Sequence, residues 1–421
     1  MRKLTVLCLL SLFSLSSKAQ FKHRIRQHLD TLCAPGLYGR GYVDGGVNRA
    51  ARFLYEKMEK AKLKPLPLAN DSNAYYQAYS FSVNRQPKPI ALRVNFPYEQ
   101  QTLKPGYDFL IDAASPAIQA NALQIISIDA SDSNQRKSLF NHPGFPANTA
   151  LVLRFMPRSE KKNVMKALQA NPNPPRLLLF TVTNKLTHTV STKVDALPSL
   201  WIFDSLLDNA KSVAIDYQNE FHQNYVCRNV AGYIPGKNPD SFIVFSAHYD
   251  HLGMMGPNAR FAGASDNASG TAFVLELMRY YKKHKPEYNT AFIFFSGEEA
   301  GLLGSNYFVQ HPLLPLNRIK HLINIDIMGN AENGITVVNA NTWPTRFQQL
   351  QQTNKKLKVN PRGASHNSDH APFSDLGVPA FFIYSNGGPG FYHDVFDLPE
   401  TCKLKGVKPI FRSITRWVSI L

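Results

Sequence analysis

The chain has 421 residues and 44% hydrophobic content, enough for a real core and for two or three domains. Its formal charge is +17, but the lysines and arginines are scattered, with only short runs such as Lys161-Lys162 and Lys282-Lys283. That scatter excludes the clustered basic footprint of a nucleic-acid binder, and four cysteines without a CxxC pair exclude a cysteine-based zinc cluster.

Residues 1–19 read as a signal peptide. Arg2 and Lys3 precede the apolar run Leu4 to Leu15, and Ser17-Lys18-Ala19 forms a small-residue cleavage site. The run is short of a bilayer span, so the expectation is an exported chain, periplasmic or secreted, with no integral span after cleavage. Removing Arg2, Lys3 and Lys18 leaves +14. Cys33, Cys227 and Cys402 then remain, which permit one disulfide without demanding it. Residues 20–64 open the catalytic domain, with a helix around 21–32. Val47, Ala50, Ala51, Leu54, Met58 and Ala61 then predict a second helix near 46–62.

Residues 65–220 change texture. Short alternating runs at 75–83, 90–96, 123–128, 150–154, 176–182 and 200–203 are separated by turn-rich segments such as Asn171-Pro172-Asn173-Pro174-Pro175. This predicts a smaller β-rich inserted domain that shapes or shields a site carried elsewhere. Residues 221–421 return to strand and helix in alternation: strands at 224–234, 242–247, 291–295, 321–327 and 379–384, and helices at 268–284, from 301 to 309, and 406–421. The fold class is therefore α/β, with a mixed, largely parallel sheet flanked by helices.

The stretch from Ser241 to Gly304 carries the chemistry. Three apolar runs end in His248 and Asp250, in Asp266, and in Glu298 and Glu299. Open α/β sheets hold their ligands at the carboxyl ends of strands. Two adjacent glutamates at the end of a buried strand also need a reason to be there. With Asp326 and His393, the chain offers the histidine nitrogens and carboxylate oxygens that zinc takes. Taken one at a time, each residue has an ordinary reading: a structural histidine, a solvated glutamate pair, or Asp266 as a helix N-cap.

Taken together they form a pattern. His-Tyr-Asp-His at 248–251, Ser-Asp-Asn-Ala-Ser-Gly at 265–270 and Gly-Glu-Glu-Ala-Gly-Leu-Leu-Gly-Ser at 297–305 resemble family 28 of the metallopeptidases. Asn324-Ile325-Asp326, Ser368-Asp369-His370-Ala371-Pro372-Phe373 and Tyr392-His393-Asp394 extend the match in the same order. The insert is similar to the protease-associated inserts of some members. The resemblance implies a zinc aminopeptidase-like fold and two zinc ions per chain acting on peptides. His248 and Asp326 would hold one ion, Glu299 and His393 the other, and Asp266 would bridge them. Glu298 would be the general base, and Asp250 would orient His248. The Asp266–Asn267 bond may be cis, as in relatives.

Relatives place a tyrosine ahead of the Ser-Asp-His motif to steady the oxyanion. Here that stretch reads Gly363-Ala364-Ser365-His366-Asn367, leaving His366 or Tyr384 as substrate-side candidates. His251 and His370 are read as structural or substrate-side. The alternatives are a single-zinc glutaminyl cyclase and a catalytically silent binding ectodomain. Residue specificity, the end of the peptide attacked and the oligomeric state stay open.

Overall fold

The computed structural model describes residues 20–69 and 74–421, so the expected leader at 1–19 lies outside the described residues. Two eight-stranded sheets form the architecture. The larger runs in the order Tyr76–Arg85, Glu220–Ile234, Tyr288–Phe295, Asn238–His248, Ile319–Ile325, Ala380–Ser385, Ile335–Val338 and Val359–Pro361. Its four central strands, from Tyr288–Phe295 to Ala380–Ser385, are mutually parallel. They are the runs richest in Phe, Ile and Val, as strands covered on both faces must be. Antiparallel pairs flank them, which gives the mixed, largely parallel sheet expected.

Helices supply the covers. Gly46–Lys60 buries Val47, Ala50, Ala51, Leu54 and Met58, one stripe at helical spacing. Gly270–Lys283 is buried along almost its whole length and packs Phe273 against Phe411 of the closing helix Val407–Val418, with ring centroids 5.6 Å apart. That closing helix starts at Gly406, φ 73°, where a Cβ would lie 2.4 Å from the Ala331 carbonyl oxygen. Leu303–Gln310 and Ala371–Asp375 cover the opposite face around Phe295, Phe308 and Phe373.

The second sheet has the order Gln100–Leu103, Ala91–Asn95, Ser212–Tyr217, Ile118–Asp129, Thr149–Arg154, Leu177–Val182, Ser199–Phe203 and Phe109–Ile111, backed by the helix Lys161–Ala170. The expected insert began at 65. Tyr76–Arg85 instead pairs with Glu220–Ile234 in the larger sheet, so the second sheet spans only 91–217. The alternation of Tyr76–Arg85 cannot tell one sheet from another, because edge strands of both read alike. The core of the second sheet reaches past itself. Leu252, Met255, Ala259 and Phe261, on or beside the hairpin Gly253–Met255/Ala259–Phe261, pack into it, as does Val395.

Cys33, Cys227 and Cys402 are free and buried. Among the described residues, no helix is long and apolar enough to cross a membrane.

Candidate active site

The carboxyl ends of the four central parallel strands converge on one cluster. His248 is the last residue of its strand, and Asp326 is the first after Ile319–Ile325. Glu298 and Glu299 follow Tyr288–Phe295 across Ser296-Gly297. His393 sits in the loop beyond Ala380–Ser385. Asp266 lies in the tight turn Ala264–Ser269 that opens Gly270–Lys283. It is not the N-cap that an acid ahead of a helix would suggest: Ser269 holds that position before Gly270–Lys283. The Asp266–Asn267 peptide bond is cis.

Neighbours hold that turn in place. The Asp397 carboxylate accepts from the amides of Ser265 and Asp266. Asn267 donates to the Ile325 carbonyl at 3.0 Å and accepts from the amides of Gly270 and Ile327. The bridge to Ile325 and Ile327 ties the Asp266 turn to the strand end that carries Asp326.

The distances are short. His248 Nε2 lies 3.2 Å from Asp266 Oδ1 and 3.3 Å from Asp326 Oδ1. His393 Nε2 lies 3.1 Å from Asp266 Oδ2 and 3.0 Å from Glu299 Oε2. Asp266 therefore turns one oxygen toward each histidine. One Glu298 oxygen stands within 4.8 Å of donor atoms of both His248 and Glu299.

The site was tested as a place for divalent cations on its own atoms. His393 Nε2 is buried close to two carboxylate oxygens yet makes a hydrogen bond to neither. Two three-donor groups, His248/Asp266/Asp326 and His251/Asp266/Glu299, share Asp266; beside Glu299 the grouped ring is that of His251, not His393. Three buried carboxylates whose only charged partners are histidines carry a surplus of negative charge that a cation would relieve. Imidazole with carboxylate is a donor set suited to zinc. The residues fit the group.

The electrostatics separate the adjacent glutamates. Burial raises Glu298 well above the usual carboxylate range, with Glu299, Asp369 and Asp326 adding to the rise against His248. Burial also pushes Glu299 upward, but His393 and His251 outweigh it and bring Glu299 down to about 2. Asp266 is likewise held low against burial, by the close imidazoles of His248 and His393 and by His251. A pair of acids driven apart in this way is the usual division between a proton carrier and a fixed charge.

Other expected residues fall differently. The Asp250 carboxylate is 3.7 Å from His248 Nδ1, while its own carbonyl is nearer, at 3.3 Å. The carboxylate instead accepts from Tyr42 Oη at 2.8 Å and from the amides of Glu298 and Glu299. It fixes the turn that aims the two glutamates. His251 donates or accepts at 2.7 Å from Glu299 Oε1. His366 is exposed and paired with Asp375 at 2.7 Å. Tyr384 Oη accepts from Arg362 at 3.3 Å. Each thus has a local partner of its own.

Three residues escaped the sequence. Tyr392 stacks on His393, centroids 3.7 Å apart, and its hydroxyl is raised by burial and then by Asp266, Glu299, Glu298 and Asp326. It stands beside the cluster. Only its place next to His393 could have signalled it. Arg40 is fully buried and donates to the carbonyls of Tyr249, Ala262 and Gly263 at 2.7–2.8 Å, stitching the segment after His248 to the one before Asp266. His188, from the smaller sheet's side, accepts from His393 Nδ1 at 3.0 Å through its carbonyl. Neither Arg40 nor His188 lies in a motif.

Comparison with known proteins agrees with this arrangement. Residues 229–418 match the family model of peptidase family M28. That match spans just under half of the chain and makes the matched region similar to peptidase family M28. The protein is a metallopeptidase, a hydrolase. Among curated M28-like relatives, a probable leucine aminopeptidase of Arthroderma otae is 27% identical over 283 residues, 60% of this chain and 71% of the relative. Aminopeptidase YwaD of Bacillus subtilis is 29% identical over 39% of this chain and 37% of its own length. The fold is shared more fully. A zinc aminopeptidase from Bacillus subtilis superposes with a TM-score of 0.67, covering 94% of each chain at 18% identity. A peptidase M28 precursor from Shewanella amazonensis gives 0.69 over 96% of each at 14% identity.

Proposed function

We propose that the protein is an exported aminopeptidase that binds two zinc ions and removes N-terminal residues from peptides. The observation that carries this is Asp266, whose two oxygens each face a different histidine at 3.2 and 3.1 Å. One half of the centre would use His248 and Asp326, and the other His393 and Glu299. The leucine aminopeptidases and YwaD among the relatives support the substrate class, and the leader-like pattern of residues 1–19 supports export. We assign 91–217 as an inserted domain and the remainder of 20–421 as the peptidase domain.

When bound, the two zinc ions would polarise the scissile carbonyl and lower the pKa of water. The chain's own residues supply the rest. Glu298 takes a proton from the attacking water as its oxygen joins the carbonyl carbon. It returns that proton to the amine as the C–N bond breaks. Asp250, anchored by Tyr42, keeps the turn in register.

Amino-acid arylamides, free peptides and N-acetylated peptides test the reading, with metal counted by atomic absorption. Cleavage of free but not acetylated substrates, abolished by chelator, with two zinc equivalents per chain, is the expected result. One equivalent with cyclisation of N-terminal glutamine would replace the proposal by the cyclase. Cleavage of acetylated peptides from the carboxyl end would reverse the polarity.

A further inference from the structure

The second sheet contributes no ligand, yet one of its loops grips a residue of the cluster. His188 stands after Leu177–Val182, in a sequence remote from every motif, and meets His393 twice. The His188 amide donates to the His393 carbonyl at 3.0 Å. The His393 ring Nδ1 donates to the His188 carbonyl, also at 3.0 Å. One insert residue thereby fixes both the main chain and the ring of His393. The position needs fixing, because His393 has φ 58°, a left-handed conformation that a residue with a Cβ adopts at a penalty.

Further contacts brace the same segment. Lys185 donates from Nζ to the Gly390 carbonyl at 2.7 Å and reaches Asp394 at 3.6 Å, one contact on each side of His393. The His188 ring is buried and stacks on Phe261, centroids 4.7 Å apart. Phe261 ends the hairpin that runs on into Gly263 and the Asp266 turn. A donor held at Nδ1 by a carbonyl leaves Nε2 as the free electron pair and sets the plane of the ring.

We propose that the insert is a positioning element for one half of the metal centre, acting through His188 and Lys185 on His393; this rests on the reading of His393 as a ligand. Among the described residues, the half built on His248 and Asp326 has no such support from the insert and serves as an internal reference.

The test measures zinc equivalents by competition with a graded chelator, on folded full-length chain, alongside the visible spectrum of the cobalt-substituted protein. H393A identifies which equivalent depends on His393. H188P removes the amide donor and redirects the loop. It should weaken that same equivalent about 10- to 100-fold, the usual effect of losing an outer partner of a ligand histidine. The other equivalent should stay unchanged. H188F, which keeps the backbone contacts and an aromatic ring against Phe261, should restore binding to within about threefold of wild type on the same scale.

Equal weakening of both equivalents, or wild-type binding of both in folded H188P, would overturn the proposal. Should H188P not fold, K185A decides, since that side chain is 35% exposed and leaves no buried gap. A selective loss of about threefold or more supports the proposal, by the same scale, and unchanged binding overturns it. Failure of the underlying reading looks different: H393A would retain every equivalent that wild type holds.

Discussion

Both sheets contain buried strands with acids at or near their carboxyl ends, and they treat those acids in opposite ways. In the smaller sheet, Asp204 follows Ser199–Phe203 and pairs with Arg154 at 2.6 Å. Asp112 follows Phe109–Ile111 and pairs with Lys161. Each is neutralised within its own sheet and helix layer. In the larger sheet, among the described residues, Asp266, Glu299 and Asp326 pair with histidines and with no lysine or arginine. A protein does not bury three carboxylates without a cation. Among the described residues, the smaller sheet carries its cations as side chains, and the larger one leaves its acids to histidines alone. What separates a structural acid from a proposed metal ligand here is the missing guanidinium or ammonium.

The sharpest way to break this comparison is to remove the shared acid. Asp266→Ala should lose bound zinc and all measurable turnover while the smaller sheet stays folded; metal counting and circular dichroism read the two halves separately. Retention of both ions would end the bridging role. Glu298→Gln is the next largest effect. It preserves the volume and leaves the facing donors in place, so metal should stay. Turnover should fall ~10²–10⁴-fold, the range for loss of a positioned proton carrier. Near-normal kcat would show that another group moves the proton. Tyr392→Phe should be milder still. Its ring stacks on His393, which makes its hydroxyl the candidate donor to a developing oxyanion. A fall of about tenfold or more in kcat with KM nearly constant is expected on the scale of such donors. A change in KM alone would make Tyr392 a substrate wall.

Much of this was legible before the fold was known, for a definite reason. The proposed ligands close strand-like runs, and strands such as Phe242–Ala247 announce themselves by their apolar character. His248, Glu299 and Asp326 inherit their position from that signal. The supporting residues do not. Arg40, Asp397 and His188 act on main-chain groups, and a backbone contact leaves no residue type in the partner to recognise. The substrate-side candidates His366 and Tyr384 have partners close by in Asp375 and Arg362, which the motif pattern does not announce. Ile335–Val338 and Val359–Pro361 were too short to stand out among loops, and the placement of Tyr76–Arg85 depended on which sheet offered an edge.

The smaller sheet supplies the remaining test, with stability rather than turnover as its readout. Burial alone would raise Asp112, but Lys161, helped by the Ala114 amide and Trp201, holds its carboxyl below the usual range. A carboxyl lowered on folding contributes stability that is present above its unfolded value, about 4, and lost as pH falls through the folded one. Lys161→Met removes the cation and leaves Asp112 buried. Its carboxyl should then rise above the unfolded value, so that the Asp112 contribution is present at acid pH and lost as pH increases. Urea denaturation at neutral pH should show a loss of about 2 kcal/mol for the stranded carboxylate, and the pH dependence from this group should reverse sign. Zinc content and kcat/KM of the folded variant should stay at wild-type levels, because this acid already has its cation and lends nothing to the one that matters for catalysis. If Lys161→Met leaves stability untouched at neutral pH, a neutralised acid in the smaller sheet is no firmer than an exposed one, and the contrast between the sheets loses its energetic basis.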